Sequence, residues 1–244
     1  MNRFKLTFEY EGTDFKGWQR QPDVRTVEGV IEEALSKLYQ KEINIIGQGR
    51  TDSGVHALSQ TAHADLPDRY SLNRIEHALR GLLPGDVVLK KIEPADPNFH
   101  ARFGAIKRAY RYQVSPLPAA IHRNYVWCYF QDMNVELLKT CAELVLGEHD
   151  FINFCIPNEE EFGTTICSIT ESNWTEDSGL LVYEIEGNRF LRHMVRRLVG
   201  SMIQVSVGKI SLNKFEGLLS GDEVRQKAFS APACGLFLTN VIYP

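Results

Sequence analysis

The chain has 244 residues, 43% of them apolar, and a formal net charge of −4, enough to bury a core and to build two half-size lobes. No stretch approaches the ~18 apolar residues of a membrane span. The five cysteines, Cys128, Cys141, Cys155, Cys167 and Cys234, are odd in number and widely spaced, which excludes a C-x-x-C zinc or redox pair. The first residues run into a strand pattern with no apolar leader, so a cytoplasmic protein is expected.

Phe4, Leu6, Phe8 and Tyr10 alternate with Lys5, Thr7 and Glu9, a strand buried on one face. Val27, Val30, Ile31, Ala34, Leu35 and Leu38 follow at helical spacing behind Thr26, a good N-cap. Strands are predicted over Ile43 to Ile46 and Thr61 to Leu66, a helix from Leu72 to Leu82 behind Ser71, and a strand from Val87 to Ile92. That order, β-α-β-β-α-β, is a split, ferredoxin-like unit.

The second half repeats the order with insertions. Tyr110, Tyr112 and Val114 alternate as a strand, Pro116 and Pro118 break the chain, and Tyr125 to Phe130 is extended. A helix runs over Val135, Leu138, Ala142 and Val145, and Ile166 to Trp174 with Leu180 to Glu186 form a hairpin. Helices are predicted from Phe190 to Val205 and Leu212 to Leu219, and a strand from Leu236 to Tyr243. The expected architecture is α+β: two ferredoxin-like halves, residues 1–104 and 105–244, whose antiparallel sheets flank a central cleft.

Charge is blocked along the chain. His100 to Gln131 contains no acid but carries Arg102, Lys107, Arg108, Arg111 and Arg123; Thr140 to Asn188 contains no Lys or Arg. Such segregation predicts a basic groove on an acidic body, suited to a polyanion, although separate solvated faces give the same pattern. In the Phe190 helix, Arg189, Arg192, His193, Arg196 and Arg197 share one arc, opposite Phe190, Met194, Leu198 and Met202.

The segment Gly49-Arg50-Thr51-Asp52-Ser53-Gly54-Val55-His56-Ala57 is turn chemistry around one acid. It superficially resembles the acid motif of subtilisin-like proteases, but no matching base or nucleophile segment accompanies it. A metal site from Asp52, His56, His63 and Asp65 lacks any helical His-x-x-x-His or paired-cysteine spacing, and His56 and His63 are read as structural. The remaining reading makes Asp52 a nucleophile or base held ionised by Arg50 and a distant arginine.

Tyr10-Glu11-Gly12-Thr13-Asp14-Phe15-Lys16-Gly17-Trp18-Gln19-Arg20-Gln21, the Asp52 segment, Phe99-His100-Ala101-Arg102-Phe103, Arg108-Ala109-Tyr110-Arg111-Tyr112, Phe190-Leu191-Arg192-His193-Met194-Val195-Arg196 and Gly235-Leu236 resemble, in order, the tRNA pseudouridine synthase A family. The resemblance spans almost the whole chain. It implies isomerisation of uridine to pseudouridine at positions 38, 39 and 40 of the tRNA anticodon stem-loop, without cofactor or metal, by a homodimer whose two subunits touch one tRNA. It places the catalytic aspartate on Asp52, the uracil-packing tyrosine on Tyr110, the active-site arginine on Arg196 and the pocket leucine on Leu236. Arg50 is positioned to hold the flipped nucleotide, and Arg189 and Arg192 to take phosphates. Trp18, with Arg20 nearby, reads equally as a buried anchor or an RNA-facing platform. Where the family often carries basic residues near Asn153-Phe154-Cys155 and Thr165-Ile166-Cys167, this chain has Glu159-Glu160-Glu161. A non-catalytic RNA-binding protein on the same scaffold, or a synthase for another structured RNA, is the alternative.

Overall fold

A computed structural model of the chain describes residues 1–156, 164–220 and 228–244. In chain order the elements are β1 (Asn2–Tyr10), α1 (Val27–Tyr39), β2 (Ile46–Gly47), β3 (His56–Leu66), α2 (Leu72–Leu82), β4 (Val87–Pro94), β5 (Lys107–Ser115), β6 (Trp127–Cys128), α3 (Val135–Leu144), β7 (Gly147–Asp150), β8 (Ile166–Asp177), β9 (Leu180–Gly187), α4 (Met194–Ser206), α5 (Leu212–Ser220) and β10 (Leu236–Ile242). They divide into two units, Met1–Ile106 with Phe237–Pro244, and Lys107–Leu236. The chain is mixed α+β.

In the first unit β1 runs antiparallel to both β3 and β4, and β2 lies antiparallel on β3. Phe237 and Leu238 of β10 pair in parallel with His56 and Ala57. The alternation of β1 buries Leu6, Phe8 and Tyr10 on one face. Thr26 caps α1, its hydroxyl accepting the Gly29 N–H at 3.3 Å, and Val27, Ile31 and Leu35 are buried. Of the strand expected over Ile43 to Ile46 only Ile46 joins the sheet, together with Gly47. The Ile43 N–H donates to Ser36 Oγ and the Ile45 N–H to Glu32 Oε1, so α1 side chains take the bonds a ladder would use.

In the second unit the antiparallel order is β5-β9-β8-β7, with β6 parallel on β5. The register sets Tyr110 opposite Ile185 and Arg111 opposite Glu184. Lys107 reaches Glu186 at 2.6 Å and Arg111 reaches Glu184 at 2.8 Å. Two cations of the basic block therefore pair with two acids of the acidic stretch across this ladder, because antiparallel pairing brings the two stretches side by side. Burial pushes the Cys141 thiol up to about 12 and the Cys167 thiol up to about 11, so both stay protonated.

The helix expected from Phe190 starts at Met194. His193 sits in the left-handed region at φ 65°, and the Arg192 carbonyl accepts the Ile156 N–H at 3.1 Å, which takes an acceptor an upstream turn would need. Arg189 and Arg192 thus lie on an irregular segment before α4, and Arg197, expected on its polar face, is 9% exposed. Its guanidinium donates to the Cys155 carbonyl. Glu159-Glu160-Glu161 lie outside the described residues.

Candidate active site

The Asp52 turn joins β2 to β3, and the end of β1 with the loop after it holds the turn on both sides of Asp52. Thr51 carries two tethers: its Oγ1 lies 2.7 Å from Tyr10 Oη, and its carbonyl accepts the Trp18 N–H at 3.1 Å. The Phe15 carbonyl accepts from Ser53 Oγ at 3.1 Å and from the Gly54 N–H at 3.3 Å. Val55 N–H closes the turn on the Asp52 carbonyl at 3.2 Å, and Gly54, at φ 80°, supplies a backbone conformation that side chains disfavour. Upstream, Gln60 donates to the Gly49 carbonyl at 3.0 Å and accepts from Gln48 Nε2 at 3.1 Å. Asp52 is half-buried and Arg50 exposed, so a tightly fixed backbone presents a reachable carboxylate.

Close packing explains the glycines in this region. A Cβ on Gly12 would lie 2.0 Å from the Val55 carbonyl oxygen, and one on Gly17, already at φ 93°, 2.7 Å from the Thr51 oxygen. A Cβ on Gly47 would strike the Trp18 ring at 2.6 Å. Trp18 is 2% exposed and packs near Tyr10, ring centroids 6.2 Å apart: it is a buried anchor. Arg20 keeps its side chain 63% exposed while pairing with the buried Glu32 at 3.1 Å, and its N–H donates to Glu28. Burial raises the Glu28 carboxyl above its ordinary value.

The second unit carries Tyr110, Arg189, Arg192, Arg196 and Leu236. Tyr110 is half-buried and meets Phe190 edge-on at 5.0 Å. Its neighbour Tyr112, fully buried, donates to the Pro232 carbonyl at 2.8 Å, and a Cβ on Gly235 would crowd the same ring at 2.8 Å, which seats Leu236, itself 5% exposed. Arg196, in the first turn of α4, is oriented by the Ala231 carbonyl, which accepts from Nε at 2.8 Å while Ala231 N–H returns to the Arg196 carbonyl at 2.9 Å. Gly200 permits that approach, since a Cβ there would meet Phe229 O at 2.2 Å. A cation at a helix N-terminus opposes the helix dipole, and the bond from Nε to the Ala231 carbonyl offsets that cost. Arg192 is exposed and Arg189 half-buried.

The sequence reading leaves His56 and His63 as structural, and both are fixed by backbone donors. His63 Nδ1 accepts the Ala101 N–H at 3.1 Å, and burial lowers its pKa to about 4. Its neighbour Asp65 is held by Arg3 at 2.7 Å. Among the described residues no three His, Cys, Asp or Glu side chains gather as a metal cage, and no helix is long and apolar enough to cross a membrane. The Tyr10–Thr51 and Gly12–His56 contacts escaped the sequence reading, although the motifs that carry the family resemblance contain all four residues.

Over residues 6–104 and 141–244 the chain matches the family model described as tRNA pseudouridine synthase. It is 38% identical to the tRNA pseudouridine synthase A of Chlorobium luteolum, across all of this chain and 96% of that protein. Identity is 39% to the protein of that name from Dictyoglomus turgidum, across the whole of both chains, and 38% to that of Bacillus subtilis, across 99% of each. This is an enzyme family of RNA-modifying isomerases, and the chain belongs to it: it is a member of the tRNA pseudouridine synthase family.

Proposed function

We propose that the chain isomerises uridine to pseudouridine in tRNA, at positions 38, 39 and 40 of the anticodon stem-loop, with Asp52 as the catalytic group. The observation that carries this reading is the Asp52 turn itself, bonded to the preceding loop through Thr51, Ser53 and Gly54, in a chain collinear with its named relatives. The N1–C1′ bond breaks, uracil turns, a C5–C1′ bond forms, and the proton lost from C5 is balanced by one gained at N1. No atom is gained or lost overall, so no co-substrate is consumed; that the reaction needs no cofactor or metal is what the family resemblance implies. An ionised carboxylate at Asp52 meets the electron demand of this exchange. A pre-fixed backbone lets it do so without reorganisation.

We assign Arg196 to keeping that carboxylate charged, as a bidentate arginine does in a desolvated site. Tyr110 supplies a flat face for uracil and a phenol to relay the C5 proton, and Leu236 lines the pocket. Arg50 holds the extruded nucleotide, whose unstacking costs a few kcal/mol that the pocket returns. Arg189 and Arg192 take phosphates, Arg20 offers its exposed guanidinium to the RNA, and Trp18 supports the site from beneath. The order β4-β1-β3-β2, with each neighbour antiparallel, supports a ferredoxin-like first half, residues 1–104. A matching second half, residues 105–244, and an RNA-binding cleft flanked by the two complete the proposed arrangement. The working form is a cytoplasmic homodimer.

Pseudouridine mapping of tRNA from cells lacking this chain tests the reading. Loss confined to positions 38, 39 and 40 is expected. Unchanged tRNA with loss in another RNA would reassign the substrate, and no loss anywhere would favour a binding protein.

A further inference from the structure

We propose that His56 is a positioning residue for Asp52: its neutral imidazole is the acceptor that clamps the Gly12 peptide onto the exit of the Asp52 turn. The proposal rests on the reading of Asp52 as the catalytic group.

His56 is 1% exposed, and its Nδ1 accepts the Gly12 N–H at 3.0 Å. An accepting Nδ1 carries no proton, so the proton of the neutral ring is on Nε2. The ring stacks on Phe237, centroids 4.7 Å apart and planes 23° apart, while the His56 backbone is registered against Phe237 in the sheet. The imidazole is thereby fixed by β10 and points its acceptor at the loop after β1.

That loop has no slack. Gly12 lies so close to Val55 that any Cβ would fall 2.0 Å from the Val55 oxygen, and Val55 is the residue whose N–H closes the turn on Asp52 at 3.2 Å. Without His56 the Gly12 N–H becomes a buried donor with no acceptor, which a chain relieves by moving. The movement would be passed through Val55 to the Asp52 carbonyl. Glu11 Oε1, 3.7 Å from the same Nδ1, accepts from both the N–H and the hydroxyl of Thr13, so turning it onto the Gly12 N–H would disturb those bonds and move the same loop. A displacement of about 1 Å at a reacting group costs on the order of 100-fold in rate. Arg189 and Arg192, to which phosphate contact is assigned, precede α4 and lie on neither of these loops.

The test compares His56→Asn, His56→Gln and His56→Phe in the full chain on a tRNA transcript with tritium at uridine C5. An Asn carbonyl occupies the Nδ1 position; a Gln carbonyl falls nearer Nε2; Phe keeps the stack and removes the acceptor. Single-turnover tritium release should fall on the order of 100-fold in Gln and Phe, with tRNA Kd within about 2-fold of the parent, whereas Asn should retain most of the rate by restoring the acceptor. Equal losses in Asn and Gln, full activity in Phe, or a loss confined to tRNA affinity would overturn the proposal. If Phe fails to fold, Asn against Gln at matched melting temperature decides. Asp52→Asn assayed in parallel separates the two claims: turnover there would remove the reading beneath this one, while its inactivity leaves the His56 comparison to stand or fall alone.

Discussion

The phenol of Tyr10 and the hydroxyl of Thr51 are 2.7 Å apart and buried, one residue before Asp52. The last residue of β1 therefore fixes the approach to the proposed catalytic carboxylate. Tyr10→Phe removes one oxygen and leaves Thr51 without its partner, which should cost about 1–2 kcal/mol. Turnover should drop more than tRNA affinity. Thr51→Val should reproduce both effects, and a double-mutant cycle should show coupling of about 0.5–3 kcal/mol. Additive losses in denaturant midpoints would place the contact outside the energetics of the turn.

Gly12→Ala tests the closeness of the two loops. Its Cβ would fall 2.0 Å from backbone, the Val55 oxygen, so the strain cannot be relieved by rotating a side chain. The expected cost is about 1–3 kcal/mol, a fall of several degrees in melting temperature for a chain of this size. Gly85, where a Cβ meets nothing within 4 Å, is the control: Gly85→Ala should leave the melt nearly unmoved.

These contacts show how far the sequence reaches. The alternation of Phe4 to Tyr10 and the Thr26 cap identify β1 and α1, since both depend on local pattern. Ile43 to Ile46 carry an equally strand-like pattern, yet Ser36 and Glu32 on α1 capture two of their N–H groups, a tertiary bond that no local rule contains. The same holds for α4: with His193 at φ 65° the helix begins only after Arg189 and Arg192, and Arg197 is buried, so the arginine arc expected from the angles is not formed. Asp52 stands out by its glycine-flanked motif. Its clamp does not, because hydrogen bonds between residues about forty apart leave no periodic trace.

Stability should fall on the acid side. His63 is held near pKa 4 in the fold against 6.5 in a free chain, chiefly by burial, so between those values the unfolded state binds the proton first. The contribution is complete above about pH 6.5 and is lost as pH falls toward 4, by at most about 3 kcal/mol. Denaturant midpoints measured from pH 7.5 to 4.5 should show this slope, and His63→Asn should flatten it. A parallel slope in the variant would assign the loss to other groups.

Arg189 and Arg192 precede α4 rather than riding on it, and the role proposed for them is phosphate contact. Replacing both by Ala should weaken tRNA binding and reduce the slope of log K against log salt by roughly 1–2. The rate once bound should stay near the parent's. An unchanged slope would place this segment away from the RNA.

The central claim is that Asp52 performs the isomerisation while other residues bind the RNA. Asp52→Asn keeps the shape of the side chain and removes its charge, so the measurement is pseudouridine formed per enzyme on an anticodon stem-loop transcript, alongside tRNA affinity for the same preparation. No detectable pseudouridine, with affinity within about 3-fold of the parent, is the predicted result; turnover near the parent rate would contradict the account.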